Sequence, residues 1–189
     1  GSAMMHFEWT QFTGPWDARV PLPMPYWGGI EENFAGIEEF VQLCREVGAE
    51  PLVCVRWTGK KPADAAALVE YLNGGVETAG GSLRARNGRP EPYGVKYWQV
   101  GNEVGGAAYE ASLRGFCEAM RAADPSIALL SSYPSDEILA AAGGGLDYLC
   151  PHHYGCANLA GMDADFDALE RRIRAFGGAR RVRVAVTEW

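Results

Sequence analysis

Five short apolar runs alternate along this chain with segments in which apolar residues recur at helical spacing. The runs are bounded by turn-forming residues and are typical of buried strands; they are residues 51–55, 95–100, 127–131, 146–150 and 182–186. Helices are predicted over residues 37–47, 62–72, 107–123, 135–142 and 163–176. Strands and helices that alternate with short links predict an α/β fold, in which a parallel sheet is connected by crossover helices.

Two architectures share this order of elements, an open doubly wound sheet and a (β/α) barrel. An open sheet that binds a nucleotide holds phosphate on a Gly-rich turn directly after a strand. Residues 101–106 form such a turn, but Glu103 stands where the phosphate would lie, and a carboxylate repels phosphate. Polar and acidic residues cluster just after the strands, where barrel enzymes build their active sites. The sequence therefore favours a barrel, and five strands make it a partial one.

The first part of the chain differs from the rest. Residues 1–35 are rich in proline, glycine and aromatic side chains and follow no sustained period, which predicts a long surface loop. Because long loops in compact domains are often functional, we interpret residues 1–35 as an active-site loop region and residues 36–189 as the strand–helix repeats. A second loop is predicted over residues 80–94.

Composition argues against two classes of function. The formal net charge of −7 is not that of a nucleic-acid-binding protein, which normally presents a basic face. No run of about 18 apolar residues occurs, so no membrane span is expected.

The 189 residues suffice for one domain with one core. No signal peptide is recognised, which favours the cytoplasm over secretion without determining the compartment.

The five cysteines are odd in number and form no compact framework. Cys150, His152, His153 and Cys156 have a spacing that invites comparison with zinc ligands. Alternation along a strand sends Cys150 and His152 to one side and His153 to the other, and no second ligand pair is evident. A closed four-ligand zinc site is therefore not expected, and we predict no metal and no cofactor.

Two carboxylates stand where a barrel places its catalytic groups. Glu103 follows the predicted strand 95–100 and Glu188 follows the strand 182–186, so both are expected to point into one mouth. Glycoside hydrolysis needs such a pair, with one carboxyl group protonating the leaving oxygen while the other attacks or activates water. A separation of roughly 5–5.5 Å gives retention, and about 6.5–9.5 Å gives inversion. The alternative is that each glutamate only caps or solvates a strand end.

Aromatic residues near this mouth also have two interpretations. Trp9 and Trp57 fall at loop and strand-end positions over the mouth, and both are predicted to stack against sugar rings. The alternative is that they are hydrophobic cover beneath a long loop, because large aromatic side chains bury much apolar area wherever they pack.

Several motifs resemble a known family of glycosidases. Residues 98–103 resemble the Gly-Asn-Glu motif that ends the fourth strand of clan A glycosidases, and residues 187–189 resemble the nucleophile motif that ends their seventh strand. Residues 73–98 resemble glycoside hydrolase family 51, the α-L-arabinofuranosidases. The resemblance covers most of the chain and implies a partial TIM (β/α)8 barrel, roughly strands 3 to 7, with residues 1–35 after the second strand.

The same resemblance implies roles for individual residues. Glu103 would be the general acid/base and Glu188 the nucleophile of a retaining enzyme that cleaves terminal α-L-arabinofuranosyl residues by double displacement. Asn102 would hydrogen-bond the 2-hydroxyl of the substrate, and Tyr154 would contact the nucleophile and fix its orientation. His153 would line the same mouth. The implied partner is an arabinose-containing oligosaccharide or polysaccharide.

Departures from the family pattern keep two further hypotheses open. His152 stands where the family usually has an acidic residue, Gly155 where it has a second tyrosine, and residues 56–57 where an asparagine is expected. These departures motivate another clan A activity, that of a xylosidase, a glucuronidase or an endoglucanase-like enzyme. The third hypothesis is a catalytically silent fragment, because five strands leave two open parallel edges. Such a fragment is expected to pair with the remainder of its parent chain or with a second copy.

Overall fold

The structure is a computed structural model that describes residues 2–142, 144–155, 157–176 and 182–189. The described helices are α1 (Ile37–Glu46), α2 (Pro62–Asn73), α3 (Ala79–Arg86), α4 (Ala107–Ala123), α5 (Asp136–Ala142) and α6 (Leu159–Phe176). The described strands are β1 (Leu22–Pro23), β2 (Ile30–Glu31), β3 (Leu52–Val55), β4 (Tyr97–Val100), β5 (Ala128–Leu130), β6 (Tyr148–Leu149) and β7 (Arg183–Val184). Three short 3-10 turns precede β1, at Ser2–Met5, Trp9–Phe12 and Trp16–Ala18.

A parallel five-stranded sheet organises the fold. The strands lie in the order β3-β4-β5-β6-β7, so each strand pairs with its neighbour in sequence. At least one helix connects each strand to the next. In the register of the sheet, Trp98 of β4 lies opposite Val53 of β3 on one side and opposite Leu129 of β5 on the other. A parallel sheet whose strands follow one another in order is a segment of a (β/α) barrel. The predicted fold class is therefore confirmed.

Both faces of this sheet are buried, as parallel strands require. Val53, Trp98 and Leu129 belong to a continuous apolar cluster that also contains residues of the helices packed outside the sheet. Alternate residues of the same strands, such as Cys54 and Gln99, are buried but lie outside that cluster. The strands place one set of side chains against the helices and the other towards the barrel interior.

The N-terminal segment is a folded strap rather than an unstructured loop. Strands β1 and β2 pair as an antiparallel hairpin, and Arg19 ties the segment to α1 through Glu39 at 2.8 Å. Arg19 also donates two hydrogen bonds to the carbonyl of Gly14, at 2.7 and 3.0 Å. The buried side chain of Asn33 donates to the carbonyl of Gln11 at 2.6 Å. The interpretation of residues 1–35 as an active-site loop stays a prediction.

The predicted loop over residues 80–94 is wrong in its first half, where the structure has helix α3. Thr78 caps this helix by accepting a hydrogen bond from the amide of Gly81 at 3.0 Å. Gly81 lies against the turn after α2, since a Cβ there would meet the carbonyl oxygen of Gly75 at 1.9 Å. Glycine disfavours helix in isolation, but at this position only glycine fits the packing.

The remaining elements differ from their predictions mainly at the ends. Helix α4 has the predicted bounds, whereas α6 begins at Leu159, four residues before the predicted start at residue 163. Strands β6 and β7 are each two residues long, shorter than the apolar runs that predicted them. No helix in the described part of the chain is both long and apolar enough to cross a bilayer.

Candidate active site

The loop after β4 carries Glu103 and is held by the ends of the two neighbouring strands, β3 and β5. The amide of Gly101 donates to the carbonyl of Val55 at 2.9 Å, and the amide of Val104 donates to Oγ of Ser132 at 2.8 Å. Between these anchors, Glu103 has φ of 52°, a left-handed conformation that is unfavourable for residues with a Cβ. Strained backbone of this kind concentrates at functional sites. The anchors on both sides hold the Glu103 side chain at the edge of the sheet.

Asn102, directly before Glu103, is buried, with 5% of its surface exposed. Nε2 of Gln99 donates a hydrogen bond to Oδ1 of Asn102 at 3.3 Å and another to the carbonyl of Gly101 at 3.0 Å. The side chain of Gln99 therefore supports the turn from beneath. Asn102 is fixed beside Glu103 and is less exposed than that carboxylate.

Glu188 is held by the neighbouring strand end. It forms an isolated parallel bridge with His152, and its carbonyl accepts a hydrogen bond from the amide of His153 at 3.1 Å. The phenol of Tyr154 donates a hydrogen bond to Oε2 of Glu188. This bond is the largest cause that raises the pKa of Tyr154 to about 12, followed by desolvation and then by the charge of Glu188. Tyr154 therefore remains a protonated donor to the carboxylate at neutral pH.

His152 lies between the two carboxylates. Its Nδ1 is 3.1 Å from Oε1 of Glu103, and its Nε2 is 3.7 Å from Oε1 of Glu188. One carboxylate oxygen of Glu103 and one of Glu188 lie within 4.8 Å of each other and of a ring nitrogen of His152. The structure thus brings together the two glutamates that were singled out in the sequence. Their separation is close to the roughly 5–5.5 Å of retaining glycosidases.

Sequence reasoning did not assign a site role to His152. Its position in the centre of the pair depends on the register between the ends of β6 and β7, which residue types do not reveal. One signal was available in the sequence. His152 is two residues before Tyr154, and alternation along an extended chain sends such residues to the same side.

His153 faces away from the pair, as the alternation predicts. Its ring centroid lies 4.8 Å from that of Phe166 on α6. Both rings line an open cavity of about 760 Å³ that also reaches Glu103 and His152. His153 therefore adjoins the site through this cavity, on the side of Glu103. Cys150 is buried beneath the site. Cys156, the last residue of the spacing that was compared with zinc ligands, lies outside the described residues.

The two tryptophans predicted to stack on sugars are packed against helices. The indole Nε1 of Trp57, just after β3, donates to Oγ of Ser112 at 2.8 Å, and its ring meets Tyr109 edge-on at 5.4 Å. Trp9 packs against Tyr71 of α2 with ring centroids 5.2 Å apart. Both side chains are half-buried, so part of each ring already has a protein partner. Their role in sugar binding stays a prediction.

A parallel barrel sheet with two carboxylates together at the C-terminal ends of its strands is the arrangement found in barrel glycosidases. Comparison with known proteins narrows this class. Over residues 1–172 the chain matches the alpha-L-arabinofuranosidase 1 domain. The chain belongs to the α-L-arabinofuranosidases of glycoside hydrolase family 51, which confirms the family predicted from its motifs.

Individual relatives agree with this assignment. The chain is 37% identical over 139 residues to the probable alpha-L-arabinofuranosidase C of Aspergillus flavus, a match that covers 69% of this chain and 28% of the relative. It is 29% identical over 186 residues to the intracellular exo-alpha-(1->5)-L-arabinofuranosidase of Acetivibrio thermocellus, covering 88% of this chain and 37% of that protein.

Solved structures share the fold along the whole chain. The α-L-arabinofuranosidase of Thermotoga maritima, solved as an arabinose complex, superposes with a TM-score of 0.91 at 26% identity, covering 100% of this chain and 44% of that chain. The arabinofuranosidase of Xanthomonas axonopodis pv. citri has the same fold, with a TM-score of 0.88 at 21% identity, and 46% of its chain is covered. The chain therefore spans less than half the length of each of these four proteins.

Proposed function

We propose that this chain supplies the catalytic centre of a retaining α-L-arabinofuranosidase, which removes terminal α-L-arabinofuranosyl residues from oligosaccharides or polysaccharides by double displacement. The observation that carries the proposal is the approach of the Glu103 and Glu188 oxygens to within 4.8 Å of each other. A close pair of carboxyl groups fits direct attack by one of them, whereas inversion requires a wider gap of about 6.5–9.5 Å that holds a water.

The surroundings of the two carboxylates support different roles. Glu188 accepts the hydrogen bond of Tyr154, which fixes the orientation of the carboxylate that attacks as nucleophile. Glu103 borders the open cavity and is the more exposed of the two, with 46% of its side chain accessible against 32% for Glu188. The cavity gives the leaving group, and then water, access to Glu103. We therefore assign Glu188 as nucleophile and Glu103 as acid/base.

The reaction then follows two steps. In the first, an oxygen of Glu188 attacks the anomeric carbon while Glu103 donates its proton to the departing glycosidic oxygen. In the second, Glu103 removes a proton from water, the water oxygen attacks the anomeric carbon, and the bond to Glu188 breaks. Asn102 is assigned to the 2-hydroxyl of the sugar, because its buried amide is held next to Glu103 by Gln99.

The names of the relatives support the substrate class. Proteins similar to this chain are named as arabinofuranosidases, and one solved structure similar to it is an arabinose complex. The experiment compares the 4-nitrophenyl glycosides of α-L-arabinofuranose, β-D-xylopyranose and β-D-glucopyranose, using the full-length protein. We expect the arabinofuranoside to have the highest kcat/KM. A preference for either pyranoside would contradict the proposed substrate and favour another clan A activity.

Azide rescue tests the two roles separately. In Glu188→Ala, azide occupies the place of the nucleophile, so the product is the inverted β-L-arabinofuranosyl azide. In Glu103→Ala, azide attacks the covalent intermediate, so the product is the retained α-azide. The exposed Glu137, on α5, provides a control, since Glu137→Ala should keep wild-type activity without azide. Exchanged product configurations would reverse the assignment, and an active Glu188→Ala without azide would refute it.

A further inference from the structure

One ring nitrogen of His152 is buried without a hydrogen-bond partner in the part of the chain that the structure describes. Nδ1 of His152 lies 3.1 Å from Oε1 of Glu103, within hydrogen-bonding distance, whereas Nε2 is buried and has no hydrogen-bond partner among the described residues. Only 10% of the side chain is exposed. Nε2 faces Oε1 of Glu188 at 3.7 Å, too far for a hydrogen bond. A buried polar nitrogen without a partner is costly, so this arrangement needs an explanation.

The gap between Nε2 of His152 and Glu188 has the dimensions of a metal site. Zinc binds imidazole nitrogen and carboxylate oxygen at about 2.0–2.2 Å, so two of its ligands lie at most about 4 Å apart. The observed 3.7 Å is within that limit. An ion between the two atoms would be bound by both without movement of the backbone.

Glu103 completes the arrangement from the other side of the ring. A metal-binding histidine usually donates its second ring N–H to a carboxylate, which fixes the tautomer and the orientation of the ring. With the proton on Nδ1 facing Glu103, Nε2 keeps a lone pair and lies 3.7 Å from the carboxylate of Glu188. Both atoms across the gap are then acceptors, and a bound cation satisfies them together by taking a lone pair from each.

We propose that His152 and Glu188 bind a transition-metal ion of the zinc class, with Glu103 orienting the imidazole. The nitrogen ligand selects zinc-like ions over magnesium or calcium, which prefer oxygen. Both glutamates are partly exposed, so water fills the remaining coordination positions. If Glu188 is the nucleophile, as proposed above, the ion competes with substrate. The metal site is then inhibitory, since the ion occupies the carboxylate that must attack the sugar.

The test measures zinc binding directly. Isothermal titration of the protein with Zn²⁺, and the absorption bands of bound Co²⁺, report the site without any substrate. The chain has three histidines, and His153 is the matched control because its ring packs on Phe166. We expect His152→Ala and His152→Gln to weaken binding roughly tenfold or more, and Glu103→Gln to weaken it about 10- to 100-fold. His153→Ala should bind zinc like the wild type.

Two outcomes would overturn the proposal. One is an absence of zinc binding by the wild-type protein, and the other is binding that His152→Ala and His152→Gln leave unchanged while both variants keep the wild-type circular dichroism spectrum. Inhibition is measured separately with the aryl arabinofuranoside, where zinc should raise the apparent KM and leave kcat unchanged. A protein that binds zinc through His152 but hydrolyses no arabinofuranoside would contradict the proposed function and not the metal site.

Discussion

Tyr154 donates a hydrogen bond to Oε2 of Glu188 across the junction between the ends of β6 and β7. In the proposed mechanism this bond orients the nucleophile and stabilises its charge. We expect Tyr154→Phe to lower kcat/KM roughly tenfold or more, because hydrogen bonds to charged groups are among the strongest in proteins. Steady-state kinetics with an aryl arabinofuranoside measure the effect. Tyr97→Phe, at the opposite end of β4 from Glu103, is the control, and equal activities of the two variants would contradict the prediction.

The left-handed backbone of Glu103 makes a prediction about stability. A Cβ at φ of 52° costs about 1–2 kcal/mol, whereas glycine adopts this conformation without penalty. We therefore expect Glu103→Gly to be more stable than Glu103→Ala by about 1 kcal/mol, although both lack the carboxylate. Urea unfolding of the pair measures the difference. At Glu110, in α4, the order should reverse, because glycine is disfavoured within helices.

The buried guanidinium of Arg84 makes a second stability prediction. Its nitrogens donate to the carbonyls of Tyr71, Arg89 and Pro90, at 2.7, 3.2 and 2.8 Å. A lysine ammonium cannot reach this spread of acceptors from one position, so Arg84→Lys leaves buried carbonyls unpaired. We expect the free energy of unfolding to fall by about 3 kcal/mol. Arg86→Lys on the exposed side of the same helix should change it little, and similar losses in both variants would contradict this account.

Burial predicts that three thiols are unreactive in the folded protein. Desolvation raises the pKa of Cys54 from 9.0 to about 11, and that of Cys117 and Cys150 to about 12. Because the thiolate is the reactive form, we expect these thiols to resist Ellman's reagent at about pH 8 until the protein unfolds. Among the four described cysteines, the partly exposed Cys44 should react first. Rapid modification of Cys150 in the folded protein, located by mass spectrometry, would contradict the prediction.

The same pKa shifts have a consequence for stability at alkaline pH. Below pH 9.0 these thiols are neutral in both the folded and the unfolded state, so their burial carries no penalty from charge. Between 9.0 and about 12 they ionise in the unfolded state first, so unfolding releases protons and stability falls as the pH rises. Cys117→Ala removes one such group. Its midpoint of urea unfolding should fall less steeply over this range than that of the wild type.

The periodicity of apolar residues in the sequence was sufficient to predict the sheet and most of the helices. The sequence predicts helix α4 with its observed bounds because Leu113, Phe116 and Met120 recur on one side. Helix α3 was not predicted because its few apolar residues do not recur on one face and two of its residues are glycines. Its stability comes from contacts that have no periodic signal, the cap at Thr78 and the buried Arg84. Tertiary packing therefore overrides local propensity in this segment.

The candidate site was predictable only in part. The convergence of Glu103 and Glu188 followed from the rule that parallel strands bring their C-terminal ends to one edge. The position of His152 between them did not follow, because it depends on the register of two strand ends that are 36 residues apart in sequence. Contacts of this kind are set by packing along the whole sheet. Such contacts cannot be predicted from the residue types of a short segment of sequence.

The bridge that joins His152 to Glu188 consists of backbone pairing, together with the hydrogen bond from the amide of His153 to the carbonyl of Glu188. The spacing between these two positions is therefore independent of what their side chains are. Replacing either side chain changes the chemistry of the site and leaves the backbone pairing of the two positions in place. A functional group can thus be exchanged here with little effect on folding, which makes this pair of positions suited to redesign.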